Sequence, residues 1–101
     1  MPCGMILEFE GVTTDEYYAV NAALGIDPST GEGDWPDGLA SHSAGLNDDG
    51  HLVVMEVWDT PDHQARFMEE RLGAALAEGG ITAPPSSVTM VDLVAHHHPG
   101  I

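Results

Sequence analysis

Lysine is absent from this 101-residue chain, and Arg66 and Arg71 are the only strong cations set against seventeen acidic residues. The formal net charge is −15. A surface so poor in cations cannot neutralise phosphates, which argues against nucleic acids and anionic membranes as partners. Cysteine occurs once, at Cys3, so no internal disulfide can form and a cytoplasmic location is expected. Long apolar runs are missing too, with none near the roughly 18 residues of a membrane span. The N-terminus carries no basic region followed by an apolar core, as a secretory signal would. Glycines fall singly or in pairs, which leaves no phosphate loop and no dinucleotide fingerprint, and there is no Gly-x-Ser-x-Gly elbow.

Hydrophobic residues make up 43% of the chain, enough for a folded core. The length fits one domain, residues 1–101 with a core over about 4–97. Met5 to Glu10 alternates with period two and reads as a strand. Thr13 and Glu16 then form a capping-box pattern for a helix that runs to about Leu24, with Gly25 as its C-cap. Tyr17, Val20 and Leu24 share one face of that helix. Residues 27–38 form a loop rich in Pro, Gly and Asp, anchored by Trp35. Its acids Asp27, Glu32 and Asp34 miss the spacing of a calcium loop. Leu39 to Leu46 is a strand of small residues with His42 in its middle. Asn47 to Gly50 is a hairpin turn, and His51 to Trp58 is the clearest strand. Thr60 and Pro61 open a second helix whose apolar stripe includes Phe67, Met68, Leu72, Ala75 and Leu76. Gly79-Gly80 ends it, and Val88 to Ala95 is the last strand.

The order β-α-β-β-α-β predicts an α+β fold, a four-stranded antiparallel sheet with both helices on one face. The purely apolar sets, Met5, Leu7, Phe9, Val53, Met55, Val57, Val91 and Leu93, are expected toward the helices. Ile6, Glu8, Leu52, Val54, Glu56, Trp58, Val88, Met90, Asp92 and Val94 are expected on the other face. That face is too apolar to stay bare, so a homodimer is expected to bury it. Half a dozen such side chains, at about 1.5 kcal/mol or more each, suffice to drive association. Glu8, Glu56 and Asp92, on three different strands, are then expected on that same face. Carboxylates at an interface with few arginines stay wet at its rim, take up a proton, pair with histidine, or hold a metal.

Several strings carry a family resemblance: Trp35-Pro36-Asp37-Gly38-Leu39, Ser41-His42-Ser43-Ala44-Gly45, Val57-Trp58-Asp59-Thr60, Glu70-Arg71-Leu72, and His96 after the last strand. Over residues 4–97 they resemble small actinobacterial proteins of the dimeric α/β barrel (ferredoxin-like) fold, related to the antibiotic-biosynthesis monooxygenase domain. The resemblance implies two four-stranded sheets packed face to face with helices outside, and in many members a pocket between sheet and helices. The scaffold hosts cofactor-free monooxygenases, haem-degrading enzymes, isomerases and non-enzymatic binders, so the fold does not choose among them. It carries no catalytic set onto this chain. The Asn-Trp-His set of haem-degrading members is not recognisable here.

His42, among small neighbours that leave room for a ligand, is the first candidate site residue. With Glu56 it forms the candidate catalytic pair. Glu8, Tyr17, Tyr18, Trp58 and His96 are candidate substrate-binding residues. No cofactor and no resident metal is expected. Each candidate has a plainer reading: His42 bonding a carboxylate across the sheet, the aromatics packing the core or interface, His97 and His98 as an exposed tail. Three functions stay open. One is a cofactor-independent monooxygenase-like or isomerase-like enzyme acting on a small neutral or cationic molecule. The second is a non-catalytic metabolite binder, and the third is a metal-binding accessory protein using His42 with carboxylates or His96.

Overall fold

The computed structural model describes residues 2–96. Strand β1 (Cys3–Phe9) leads to helix α1 (Thr14–Leu24), a two-residue hairpin of β2 (Ile26–Asp27) and β3 (Glu32–Gly33), and strands β4 (Leu39–Leu46) and β5 (Leu52–Trp58). Helix α2 (Pro61–Phe67), a π-helical turn (Met68–Leu72) and α3 (Gly73–Glu78) form the second helical arm, and β6 (Ser87–Asp92) completes the sheet. The main sheet has four strands in the order β4-β5-β1-β6, every neighbouring pair antiparallel. Each helical arm links strands with one other strand between them, which is the ferredoxin-like arrangement.

The helix ends form where local chemistry places them. Thr13 accepts from the Glu16 amide while Glu16 reaches back to the Thr13 amide, so two orphan donors are satisfied at once. Gly25 closes α1 in the left-handed region at φ 80°, which glycine adopts without a Cβ penalty. Thr60 caps α2, with Pro61 in its first turn. In the β4–β5 turn, the Gly50 amide donates to the Asn47 carbonyl. The loop over residues 27–38 is more ordered than its composition predicts. Its β2–β3 hairpin and a clamp by Arg71, which donates to the carbonyls of Leu24 and Asp34, fix it against the second helical arm.

The sides of two strands are the reverse of the expectation. In the register, Leu7 lies opposite Val54 and Phe9 opposite Leu52, so Leu52, Val54, Glu56 and Trp58 face the helices together with Met5, Leu7 and Phe9. Val88 and Met90 of β6 share that side, opposite Leu7 and Met5. Val53, Met55, Val57 and Val91 therefore occupy the open face with Ile6 and Glu8. Trp58, expected on the open face, is 0% exposed, packed with Cys3 and Phe67. The last strand also ends earlier than predicted, at Asp92. The open face is still apolar: Ile6, Met55 and Val91 are 42%, 49% and 42% exposed.

The helices pack through Val20, Ala75 and Ile81. Between that contact and the sheet lies a cavity of about 410 Å³. An equal void sealed in a core would cost on the order of 10 kcal/mol at about 24 cal/mol per Å³. That rivals the whole stability of a domain this size. Here the lining residues Val88 and Met90 are half exposed on the β6 side, so the cavity has a mouth.

Candidate functional site

A β-bulge builds the site. Leu39 lies opposite Trp58, but Ser41, not Ala40, lies opposite Val57. The extra residue shifts the phase of β4 by one, so His42 faces Glu56 on the helix side. An unbroken register would have turned its ring to the open face. The small side chains of Ser41, Ser43 and Ala44 flank it on the strand.

His42 joins two partners from different elements. Its Nδ1 lies 3.0 Å from Glu56 Oε2, and its Nε2 lies 2.6 Å from the Tyr17 hydroxyl. Glu56 Oε1 accepts from the Trp58 indole N–H at 3.1 Å. His42 and Glu56 side chains are only 13% and 11% exposed. With Glu56 ionised, Nδ1 carries the imidazole proton and donates to the carboxylate, while Nε2 accepts the phenol proton. Burial holds the Tyr17 phenol above its ordinary range, with the Glu56 charge adding to the effect and the Asn21 side chain opposing it. Tyr17 is therefore a neutral O–H donor at physiological pH.

Tyr17, His42 and Glu56 all line the cavity. The rest of the wall is mainly apolar, with Met5, Leu7, Phe9, Val54, Phe67 and Met90 among it, and Asn21 and Gln64 add polar groups. Such a mix, apolar walls with a few convergent polar groups, is the usual make-up of a small-molecule site. Trp35 also lines it, its ring 5.5 Å from that of His42. The sequence marked Trp35 only as the anchor of its loop. Its position as the one large apolar residue in a Gly- and Pro-rich segment was the available signal.

The other candidates lie elsewhere. Glu8 is on the open face, where it bonds His51 at 2.6 Å, far from the company of Glu56 expected for it. Asp92 follows the register of Cys3 on the helix side. Tyr18 is 51% exposed and only edges against the Tyr17 ring. Trp58 reaches the site through Glu56 and does not line the cavity. His96 follows β6 and is not part of the cavity wall. His97 and His98 lie outside the described residues. Among the described residues, no three His, Cys, Asp or Glu side chains converge as a metal site would need, and no helix is long and apolar enough to cross a membrane.

No family model matches the chain, and no curated protein matches it. Solved structures do. Rv0793 from Mycobacterium tuberculosis superposes with a TM-score of 0.62 at 23% identity, over 97% of this chain and 100% of that one. A protein from Chloroflexus aurantiacus, provisionally assigned as an antibiotic biosynthesis monooxygenase, gives 0.63 at 17% identity, over 99% and 100%. NE2512 from Nitrosomonas europaea, of unknown function, gives 0.59 at 16% identity, over 97% and 92%. The chain thus shares the fold of these proteins over nearly all of its length.

Proposed function

We propose that this chain forms a homodimer in which each subunit binds a small, largely apolar, neutral or cationic molecule between sheet and helices and moves a proton on it without a cofactor. The observation that carries this reading is the Tyr17–His42–Glu56 chain of hydrogen bonds ending in the cavity wall. His42 is the base. A proton leaving the substrate reaches Nε2 directly, or passes to the Tyr17 oxygen as the Tyr17 proton moves to Nε2. The imidazolium so formed stays bonded to the Glu56 carboxylate, which offsets its charge inside a low-dielectric wall. The apolar lining favours a neutral substrate over a cationic one, and the net charge of −15 repels anions from the mouth.

A carbanion or phenolate made this way has two fates. Reprotonation at another carbon is isomerisation. Reaction with dioxygen at a methylene carbon turns CH2 into C=O with release of water, the substrate supplying the electrons. The relatedness in fold to a protein provisionally assigned as a monooxygenase is consistent with the second fate and does not choose it. The dimer reading rests on Ile6, Met55, Val57 and Val91, an apolar group on the face that no helix covers.

The test needs no knowledge of the natural substrate. A neutral bicyclic ketone with an acidic C–H, such as 2-tetralone, is incubated with the protein in heavy water, and deuterium uptake is followed by NMR. Uptake above the buffer rate that disappears in His42→Ala supports proton transfer. Binding of the ketone with uptake equal in wild type and His42→Ala leaves a non-catalytic metabolite binder as the better reading.

A further inference from the structure

We infer that Trp58, sealed in the core and out of reach of any molecule in the cavity, is a positioning residue that decides which nitrogen of His42 is the base. The functional meaning of this rests on the proton-transfer reading above, but the positioning itself is a property of the resting protein.

The argument starts from donor inventories. An indole N–H can only donate, and Trp58 has one such group. It donates to Oε1 of Glu56 at 3.1 Å from a side chain that is 0% exposed. The indole cannot swing away, because Phe67 lies against it at 5.6 Å between ring centroids and Cys3 packs in the same cluster. Trp58 and Glu56 are two residues apart on β5, so both side chains leave the strand on one side. Glu56 is thereby pinned at one oxygen, and its other oxygen, Oε2, is aimed at His42 Nδ1 at 3.0 Å. An anchored acceptor at Nδ1 requires the proton there. Nε2 is left with its lone pair, and the Tyr17 hydroxyl meets it at 2.6 Å.

This outcome runs against the imidazole's own preference. A histidine ring free in water favours the tautomer with the proton on Nε2. In that form Nε2 could take no proton from Tyr17 or a substrate, and Nδ1 and the carboxylate would meet as two acceptors. The site inverts the preference, and the inversion is only as firm as the carboxylate's orientation. A serine hydroxyl in place of the indole could rotate its proton to another acceptor and release the carboxylate. The indole N–H is fixed in a ring that is 0% exposed and cannot.

The experiment reads the tautomer directly. Protein labelled with nitrogen-15 at histidine is examined by long-range proton–nitrogen correlation at about pH 8, where an ordinary histidine is neutral. Wild type is expected to show His42 with its proton on Nδ1. Trp58→Phe keeps an aromatic ring in the core and deletes the N–H, and it is expected to lose the pure Nδ1–H pattern. Should that variant fail to fold, benzothienylalanine at position 58 in a Trp35→Phe background keeps the bicyclic shape and replaces N–H by sulfur; its reference is the Trp35→Phe protein with ordinary tryptophan at position 58, because Trp35 lies 5.5 Å from the His42 ring. A wild-type His42 already protonated on Nε2, or an unchanged Nδ1–H pattern once the indole N–H is gone, overturns the inference. A merely structural role for Trp58 would not move this signature in the folded isostere. Loss of the tautomer in a protein that never exchanges deuterium would sink the proton-transfer reading and leave the positioning role standing.

Discussion

Glu8 and Glu56 each bind a histidine, and they do so on opposite faces of the sheet. Glu56 is enclosed with His42 in the wall of the cavity, its side chain 11% exposed. Glu8 lies with His51 on the open face, at 30% and 25% exposure. One pair is sheltered in the cavity wall, and the other lies partly exposed beside an apolar surface. The two are separable by mutation, and they predict different things.

Tyr17→Phe removes one hydrogen bond to His42 and leaves the ring stacking in place. Its cost in stability is about 1 kcal/mol, the usual net value of such a bond. Deuterium exchange into a bound ketone should slow by about 10²-fold if Tyr17 relays the proton, since positioned acid–base groups contribute about 10²–10⁴-fold. Unchanged exchange with normal binding would assign the relay to His42 alone. Ultraviolet titration of the wild type should also find Tyr17 ionising above the ordinary 10.0, as its burial requires.

The Glu8–His51 pair makes stability depend on pH within a defined window. The His51 hydrogen bond holds Glu8 below its ordinary 4.5, and Glu8 holds His51 above its ordinary 6.5, with Glu10 adding to the pull. The carboxylate's contribution is present above 4.5 and fades as pH falls through the lowered value. The imidazolium's contribution is present below 6.5 and fades as pH rises through the raised value. Both are complete only between 4.5 and 6.5. Urea titrations of wild type and Glu8→Gln across pH 4 to 9 should show their largest gap there, and a gap independent of pH would refute the pairing. The groups are exposed enough that the effect should shrink in high salt.

Deleting Ala40 tests the bulge directly. With Ala40 in the strand, Leu39 lies opposite Trp58 and His42 opposite Glu56 only because the bulge absorbs the extra residue. Without it, Leu39, Ser41 and His42 fall opposite Trp58, Val57 and Glu56 in unbroken register, and His42 should keep its carboxylate partner. The His42 nitrogen signals of the variant should match those of the wild type, with circular dichroism reporting that the sheet is intact. Loss of the His42 signature in an intact sheet would refute this account of the register.

Met55→Glu places a charge in the middle of the open face, at a side chain 49% exposed in the lone subunit. Met55 belongs to none of the core clusters of one subunit, so unfolding free energy extrapolated to the monomer should change by about 1 kcal/mol or less. Sedimentation should nevertheless show wild type as dimer and the variant as monomer at micromolar concentration. A wild type that is monomeric at that concentration would end the dimer reading.

Much of the architecture can be read from the residues. Capping at Thr13, Glu16, Gly25 and Thr60, the turn at Asn47 to Gly50, and alternation in β1 and β5 suffice for element order. The sides of β5 cannot be read in the same way, because both are apolar. Leu52, Val54 and Trp58 compete with Val53, Met55 and Val57, and the rule that the charge-free set goes inward selects the wrong one. It fails because Glu56 goes inside, where His42 and Trp58 satisfy it. Local rules are expected to break where a fold makes room for chemistry. The same holds for the union of Tyr17 with His42 and Glu56. Each residue is conspicuous alone, but their meeting depends on a bulge that the run Leu39 to Ser41 does not announce.

The two tryptophans occupy contrasting surroundings, one at the rim of the cavity and one closed off behind the carboxylate. Nature has thereby installed its own optical gauge. Collisional quenchers such as acrylamide should dim the indole at position 35 and spare its counterpart at position 58. A compound entering the hollow should alter the first emitter's colour and brightness and leave the second as an internal standard. Candidate metabolites can be screened this way on unlabelled protein, before any reaction is known.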